Sequence, residues 1–99
     1  MNELPPGLTI EETWLVEATY APDAAETRVP FRSAHMARLV ELREAGVVIA
    51  AGAFADVSAS VLLVRAENEE AALAIARDDI YLANSVWVEV RARRFMRVV

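Results

Sequence analysis

From Thr13 to Tyr20 apolar and polar positions alternate. Trp14, Val16, Ala18 and Tyr20 fall on one side of an extended chain, and Thr13, Glu17 and Thr19 on the other. A period of two predicts a strand with one buried face, and Ala21-Pro22-Asp23 ends it. Pro30 stands at or just before the first turn of a helix, where a missing N–H costs nothing. At helical spacing Phe31, Ala34, His35, Leu39, Leu42 and Ala45 share a face, with Arg32 and Arg43 flanking it and Glu41 and Glu44 further round. Gly46 is the expected stop, since glycine takes up the left-handed conformation that closes a helix. Val47 to Ala53 predicts a short apolar strand, Asp56-Val57-Ser58 a turn, and Ala59 to Arg65 a second strand close enough to form a hairpin with the first. Glu67-Asn68-Glu69-Glu70 opens another helix. Its acidic side chains suit the positive end of the helix dipole, and Asn68 is the expected cap. That helix runs to about Asp78 or Asp79, with Ala72, Ile75, Ala76 and Asp79 on one side. Alternation returns from Ser85 to about Met96, with Val86, Val88, Val90 and Ala92 on one face and Trp87, Glu89, Arg91 and Arg93 on the other.

The order strand, helix, strand, strand, helix, strand is that of an α+β, ferredoxin-like βαββαβ unit, one antiparallel sheet with both helices on one face. Residues 13–99 form this single domain, and residues 1–12, with two of the four prolines and one of the three glycines, read as a loose arm. The second sheet face carries Trp, Leu and Val and is not cleanly polar. An open sheet with a semi-apolar face packs on something, and for a one-domain chain the expected partner is a second copy, giving a homodimer.

Composition narrows the chemistry. The chain has 99 residues, 56% hydrophobic and 25% charged, which excludes a disordered tail and permits a real core. Its formal net charge of -5 argues against nucleic acid and gives no attraction to an anionic membrane surface. Without Cys there is no disulfide, thiolate nucleophile or Cys-ligated metal, and because all ten basic residues are Arg no side-chain amine can form a Schiff base. A single histidine, His35, cannot build a two-His metal site, so no metal and no cofactor are expected. No secretory signal pattern is visible at the start, and the longest apolar stretch, Ala45 to Ala55, is far short of the roughly 20 residues a membrane span needs. The expectation is a cytoplasmic protein.

Two polar residues sit on apolar helix faces. His35 lies one turn after Phe31 and one before Leu39, and Asp79 is in phase with Ala72 and Ile75, whereas Asp78 is rotated outward. Burying either alone is costly. In the split βαββαβ arrangement the helices run antiparallel, so the start of the first lies near the end of the second and the two side chains meet. A carboxylate on one imidazole nitrogen fixes the tautomer and raises the basicity of the other, which can then move a proton on a substrate. Arg32, three residues before His35, offers a planar fork for an anionic group. The competing reading is a hydrogen-bonded structural pair, with Arg32 a solvated charge. Arg91 to Arg94 is locally basic, but alternates in a strand of an acidic protein and is expected to pair with acidic neighbours or a partner subunit.

These residues resemble the YciI-like family, also called the YCII-related domain. Arg32-Ser33-Ala34-His35 with Leu39 resembles its Arg-x-x-His helix, and Gly46 to Gly52 its Gly, apolar strand, Ala-Gly segment. Asp56 and Ser60 resemble the next hairpin, and Glu69-Glu70-Ala71 followed by Asp78-Asp79-Ile80-Tyr81 its Glu-Glu-Ala helix and Asp-Pro-Tyr end. The similarity covers roughly Thr13 to Phe95. The family's Pro after the Asp is Ile80 here, and its usual hairpin Gly is replaced near Ala59-Ser60. The resemblance implies a dimeric α+β barrel and a catalytic His–Asp pair in a cleft, falling on His35 and Asp79. It also implies activity on small aromatic or cyclic metabolites, including dehydrochlorinase-like elimination.

The expected function is therefore a cofactor-free lyase or isomerase acting on a small, aromatic or anionic metabolite. His35 would be its general acid or base, Asp79 the orienting partner and Arg32 the substrate anchor. The alternative is a non-enzymatic dimeric small-molecule-binding or accessory module with a structural His35–Asp79 pair. A monooxygenase-like barrel is a third reading, resting on fold analogy alone.

Overall fold

The computed structural model describes residues 4–99, so Met1 to Glu3 of the expected arm lie outside the described residues. Strand β1 spans Ile10–Tyr20, β2 Val48–Ala53, β3 Ala59–Val64 and β4 Trp87–Val98. They form one sheet in the order β2-β3-β1-β4, every neighbouring pair antiparallel. Between them lie helices α1 (Ala24–Thr27), α2 (Arg32–Glu44), α3 (Glu69–Arg77) and α4 (Ile80–Ala83), with a 3-10 turn over Val29–Phe31 leading into α2. The strand order and the two long helices are those of the expected α+β, ferredoxin-like plan; α1 and α4 are single turns that the periodicity did not mark.

β1 begins three residues earlier than the alternation predicts. Ile10, Glu11 and Glu12 pair with Val98, Arg97 and Met96, so the arm is shorter than residues 1–12 and its last part is sheet. This extension is a two-stranded ribbon, because β3 pairs only with Trp14 to Thr19. Cross-strand charges hold it, with Glu11 accepting from Arg97 and from Arg65, and Glu12 from Arg94. Arg91 lies by Glu17 and Glu89. Arg91 and Arg94 of the basic run, and Arg97 beyond it, thus face acidic neighbours, whereas Arg93 lies opposite Leu15.

Strict alternation misplaces Trp87. Thr19 pairs with Glu89 but Tyr20 with Trp87, so Val88 is an extra residue. Such a bulge shifts the side-chain phase by one. Val88 is 56% exposed, while Trp87, expected on the face opposite Val90, is buried at 1% in the core.

One face of the sheet, carrying Val16, Ala18, Leu62 and Val64, packs in a single cluster with Leu39 and Leu42 of α2 and Ala72 and Ala76 of α3. The fully buried alanines leave no bulk between α3 and the sheet. Ala34 and Ala45, expected on the buried stripe of α2, are exposed, and His35 is the one buried residue of that helix. Gly46 closes α2 with φ +78, and Asn68 caps α3 by accepting from the Ala71 N–H at 2.9 Å. The other sheet face carries Leu15, Val61, Leu63 and Phe95 along a groove of about 350 Å3. Among the described residues no helix is long and apolar enough to cross a membrane.

Candidate active site

The chain between α3 and α4 explains where the acidic residue goes. Asp79 is not the end of a helix, as the phase argument expects, but the start of the next. Its backbone is extended (φ -84, ψ 142), and its Oδ1 accepts from the Tyr81 N–H at 2.9 Å. Aspartate competes well for this capping position, which is why α3 stops at Arg77 although apolar phase continues. Its carboxyl group is thereby aimed at the first turns of α2. There His35 donates from Nδ1 to Oδ1 at 2.8 Å, and Arg38, one turn further along α2, donates from Nη1 to Oδ2 at 3.0 Å. His35 is 4% exposed and Asp79 1%.

Burial alone would push the Asp79 carboxyl up, but the hydrogen bond from His35, the bond from the Tyr81 backbone N–H and the charges of His35 and Arg38 together hold it below the ordinary value of 3.8. It is a carboxylate at neutral pH and can only accept. Nδ1 of His35 therefore carries a proton, and Nε2 is the ring's other site. The ring plane is fixed as well. His35 stacks on Tyr81 with centroids 3.9 Å apart and planes within 10°, and Trp87 meets it edge-on at 5.2 Å. Burial pushes the Tyr81 hydroxyl above its usual range, keeping it a neutral wall.

His35 lines a cavity of about 350 Å3 between the start of α2 and the β2–β3 hairpin. Arg32 lines it too, as do Arg28, Tyr20, Ser60, Tyr81 and Trp87, with Leu39, Met36, Phe54 and Val57 among its apolar walls. The structure thus brings His35 and Asp79 into contact and sets Arg32 on the same cavity. With Nδ1 occupied, Nε2 is the one ring nitrogen without a partner among the described residues. Among the described residues no cluster of three or more His, Asp or Glu stands where a metal ion could be held.

Sequence reasoning missed Arg38, Tyr81 and the Tyr20–Ser60 pair. Arg38 was detectable, since i+3 from His35 puts it on the same side of the helix. Tyr81 follows from a capping Asp two residues earlier, had Asp79 been read as a cap. Nothing local in the sequence pairs Tyr20 with Ser60, which lie 40 residues apart and hydrogen-bond at 2.9 Å.

Residues 13–96 match the YCII-related domain family. This chain belongs to that family. No curated protein matches the sequence. Among solved structures this YCII-related domain is similar to 5-chloro-2-hydroxyhydroquinone dehydrochlorinase from Burkholderia phenoliruptrix, determined in complex with 2,5-dihydroxybenzoquinone. The TM-score is 0.72 and the identity 17%, over 84% of this chain and 92% of the other. At that identity the likeness is one of fold.

Proposed function

We propose that this YCII-related domain is a cofactor-free lyase or isomerase that moves a proton on a small cyclic or aromatic metabolite. The observation that carries the reading is the Nδ1–Asp79 hydrogen bond on a histidine whose ring lines a cavity. Nε2 takes a proton from a substrate carbon or hydroxyl, the electron pair left behind forms the new double bond, and a leaving group departs or the proton is returned elsewhere. Asp79 remains ionised and stabilises the imidazolium. Arg38 balances Asp79 so that its charge does not repel an anionic substrate, and Arg32 anchors that anion. Acid–base catalysis of this kind contributes about 10² to 10⁴ in rate, enough for an activated ring compound. The dehydrochlorinase of similar fold supports this class, since its structure was determined with a small oxygenated ring bound. The apolar groove across Leu15, Val61 and Leu63 supports a homodimer packed through the open sheet face.

A panel of hydroxylated and halogenated hydroquinones, followed by absorbance and halide release, tests the reaction. Turnover by the wild-type chain that His35→Gln abolishes, with folding retained, is expected; turnover at the wild-type rate in His35→Gln would refute the role. One observation favours the accessory-module reading: Asp79 also caps α4, so the pair has a structural task regardless of chemistry. On that reading His35→Gln lowers the melting temperature and no ring compound binds beside His35.

A further inference from the structure

The polar groups of the cavity share one property. Among the described residues none that lines it is acidic, in a chain whose net charge is -5. Arg28 and Arg32 line it, and neither is ion-paired among the described residues, whereas Arg65, Arg91, Arg94 and Arg97 are. One neutral donor joins them. The Tyr20 hydroxyl accepts from Ser60 Oγ, which leaves its own proton to be donated elsewhere, and no acceptor for it occurs among the described residues. The Arg28 guanidinium lies 6.0 Å from the centroid of the Tyr20 ring, so the two residues are neighbours on the cavity wall. A buried donor without an acceptor is rare and costly, and the Tyr20 hydroxyl calls for an explanation. The remaining walls are apolar or aromatic and suit a flat ring.

We infer that the cavity is built for an oxyanion. Its ligand is a planar ring bearing a charged oxygen group, a carboxylate or a phenolate-type oxygen. Arg28 and Arg32 hold the charge, and the Tyr20 hydroxyl, oriented by Ser60, donates to one of the oxygens. This deepens the proposed function and rests on its reading of the cavity as the substrate site, adding Arg28, Tyr20 and Ser60 as specificity-determining residues. The donor set disfavours cationic ligands and favours anionic over neutral ones, because only a charged oxygen group gains charge-assisted hydrogen bonds from the two guanidinium groups.

Calorimetric titration of the intact chain with benzoate, benzamide, benzylamine and 4-nitrophenolate tests this. Benzoate or 4-nitrophenolate is expected to bind, the tighter of the two identifying the charged group, with benzamide about tenfold or more weaker, a ratio that corresponds to one charge-assisted contact, and benzylamine not at all. Arg28→Gln and Arg32→Gln should each weaken the bound anion about tenfold and leave benzamide unchanged, whereas Tyr20→Phe weakens both. Equal binding of benzoate, benzamide and benzylamine, no binding of either anion, or Arg28→Gln and Arg32→Gln variants that bind the anion as the wild type does would overturn the inference. Binding is read without turnover, so failure of His35 to move a proton would leave these results unaltered, and a cavity indifferent to charge would leave the acid–base role of His35 standing.

Discussion

Asp79→Asn removes the acceptor on which three donors converge. The replacement amide can still take the Tyr81 N–H through its oxygen, so the cap on α4 survives. Its NH2 group then faces the Arg38 guanidinium, which loses the partner it now has at 3.0 Å, and the His35 contact at 2.8 Å loses its charge. The Arg38 side chain is 26% exposed, so its stranded charge costs less than the roughly 3–5 kcal/mol of a fully buried pair, about 2–3 kcal/mol. For a chain of this length each kcal/mol lowers the melting temperature by about 4–8 °C, so a fall of at least about 8 °C is expected. Calorimetric or circular-dichroism melts at neutral pH measure it. A double-mutant cycle with Arg38→Met adds a sharper reading: with the guanidinium gone, Asp79→Asn strands one charge fewer, and the double variant should be more stable than the sum of the single losses predicts. Asp79→Asn melting within a few degrees of wild type, or strict additivity with Arg38→Met, would refute the view that Asp79 holds a buried charge network together.

Acid should act on the same network. Because the folded protein holds Asp79 below its ordinary value of 3.8, the carboxylate contributes its full stability above that pH and loses it as pH falls toward the folded value. The stability gap between wild type and Asp79→Asn should narrow as pH falls below about 4, in urea titrations across that range; a gap that does not narrow in acid would contradict the assignment. Asn68→Ala should cost about 1 kcal/mol through loss of the α3 cap, read from urea midpoints. Gly46→Ala meets no atom within 4 Å, so its cost is the left-handed backbone alone, about 1–2 kcal/mol by the same measurement. Leu15→Glu, on the apolar open face of the sheet, should convert a dimer to monomer in sedimentation velocity; a wild-type chain that sediments as a monomer would end the proposal that this face is an interface.

The plan of the fold was legible because β1 alternates, α3 repeats at helical spacing, and Pro, Gly, Asp and Asn mark the ends of the remaining apolar segments. The His35–Asp79 pairing was legible for a related reason, since a polar residue on an apolar stripe needs a partner and topology supplied one. Three features were not. The bulge at Val88 inserts one residue into an otherwise regular alternation, and no side chain announces it, so Trp87 was assigned to the wrong face. Asp79 keeps helical phase with Ile75 and Ala76 while leaving the helix, because a cap and a helical residue can occupy the same azimuth. The donor lining of the cavity joins Tyr20, Arg28 and Ser60 from β1, the segment before α2 and β3, a convergence made by the sheet register and not by spacing along the chain.

The protonation of the single histidine is the most direct test of the whole scheme. Nitrogen-15 NMR of a uniformly labelled sample resolves the two ring nitrogens of His35 without ambiguity, since no other histidine is present. The neutral ring should carry its proton on Nδ1, coupled to the Asp79 carboxylate, with a lone pair on Nε2 whose signal moves when a ring anion enters the cavity. A neutral His35 protonated on Nε2, or a ring unchanged by any ligand that binds, would contradict it.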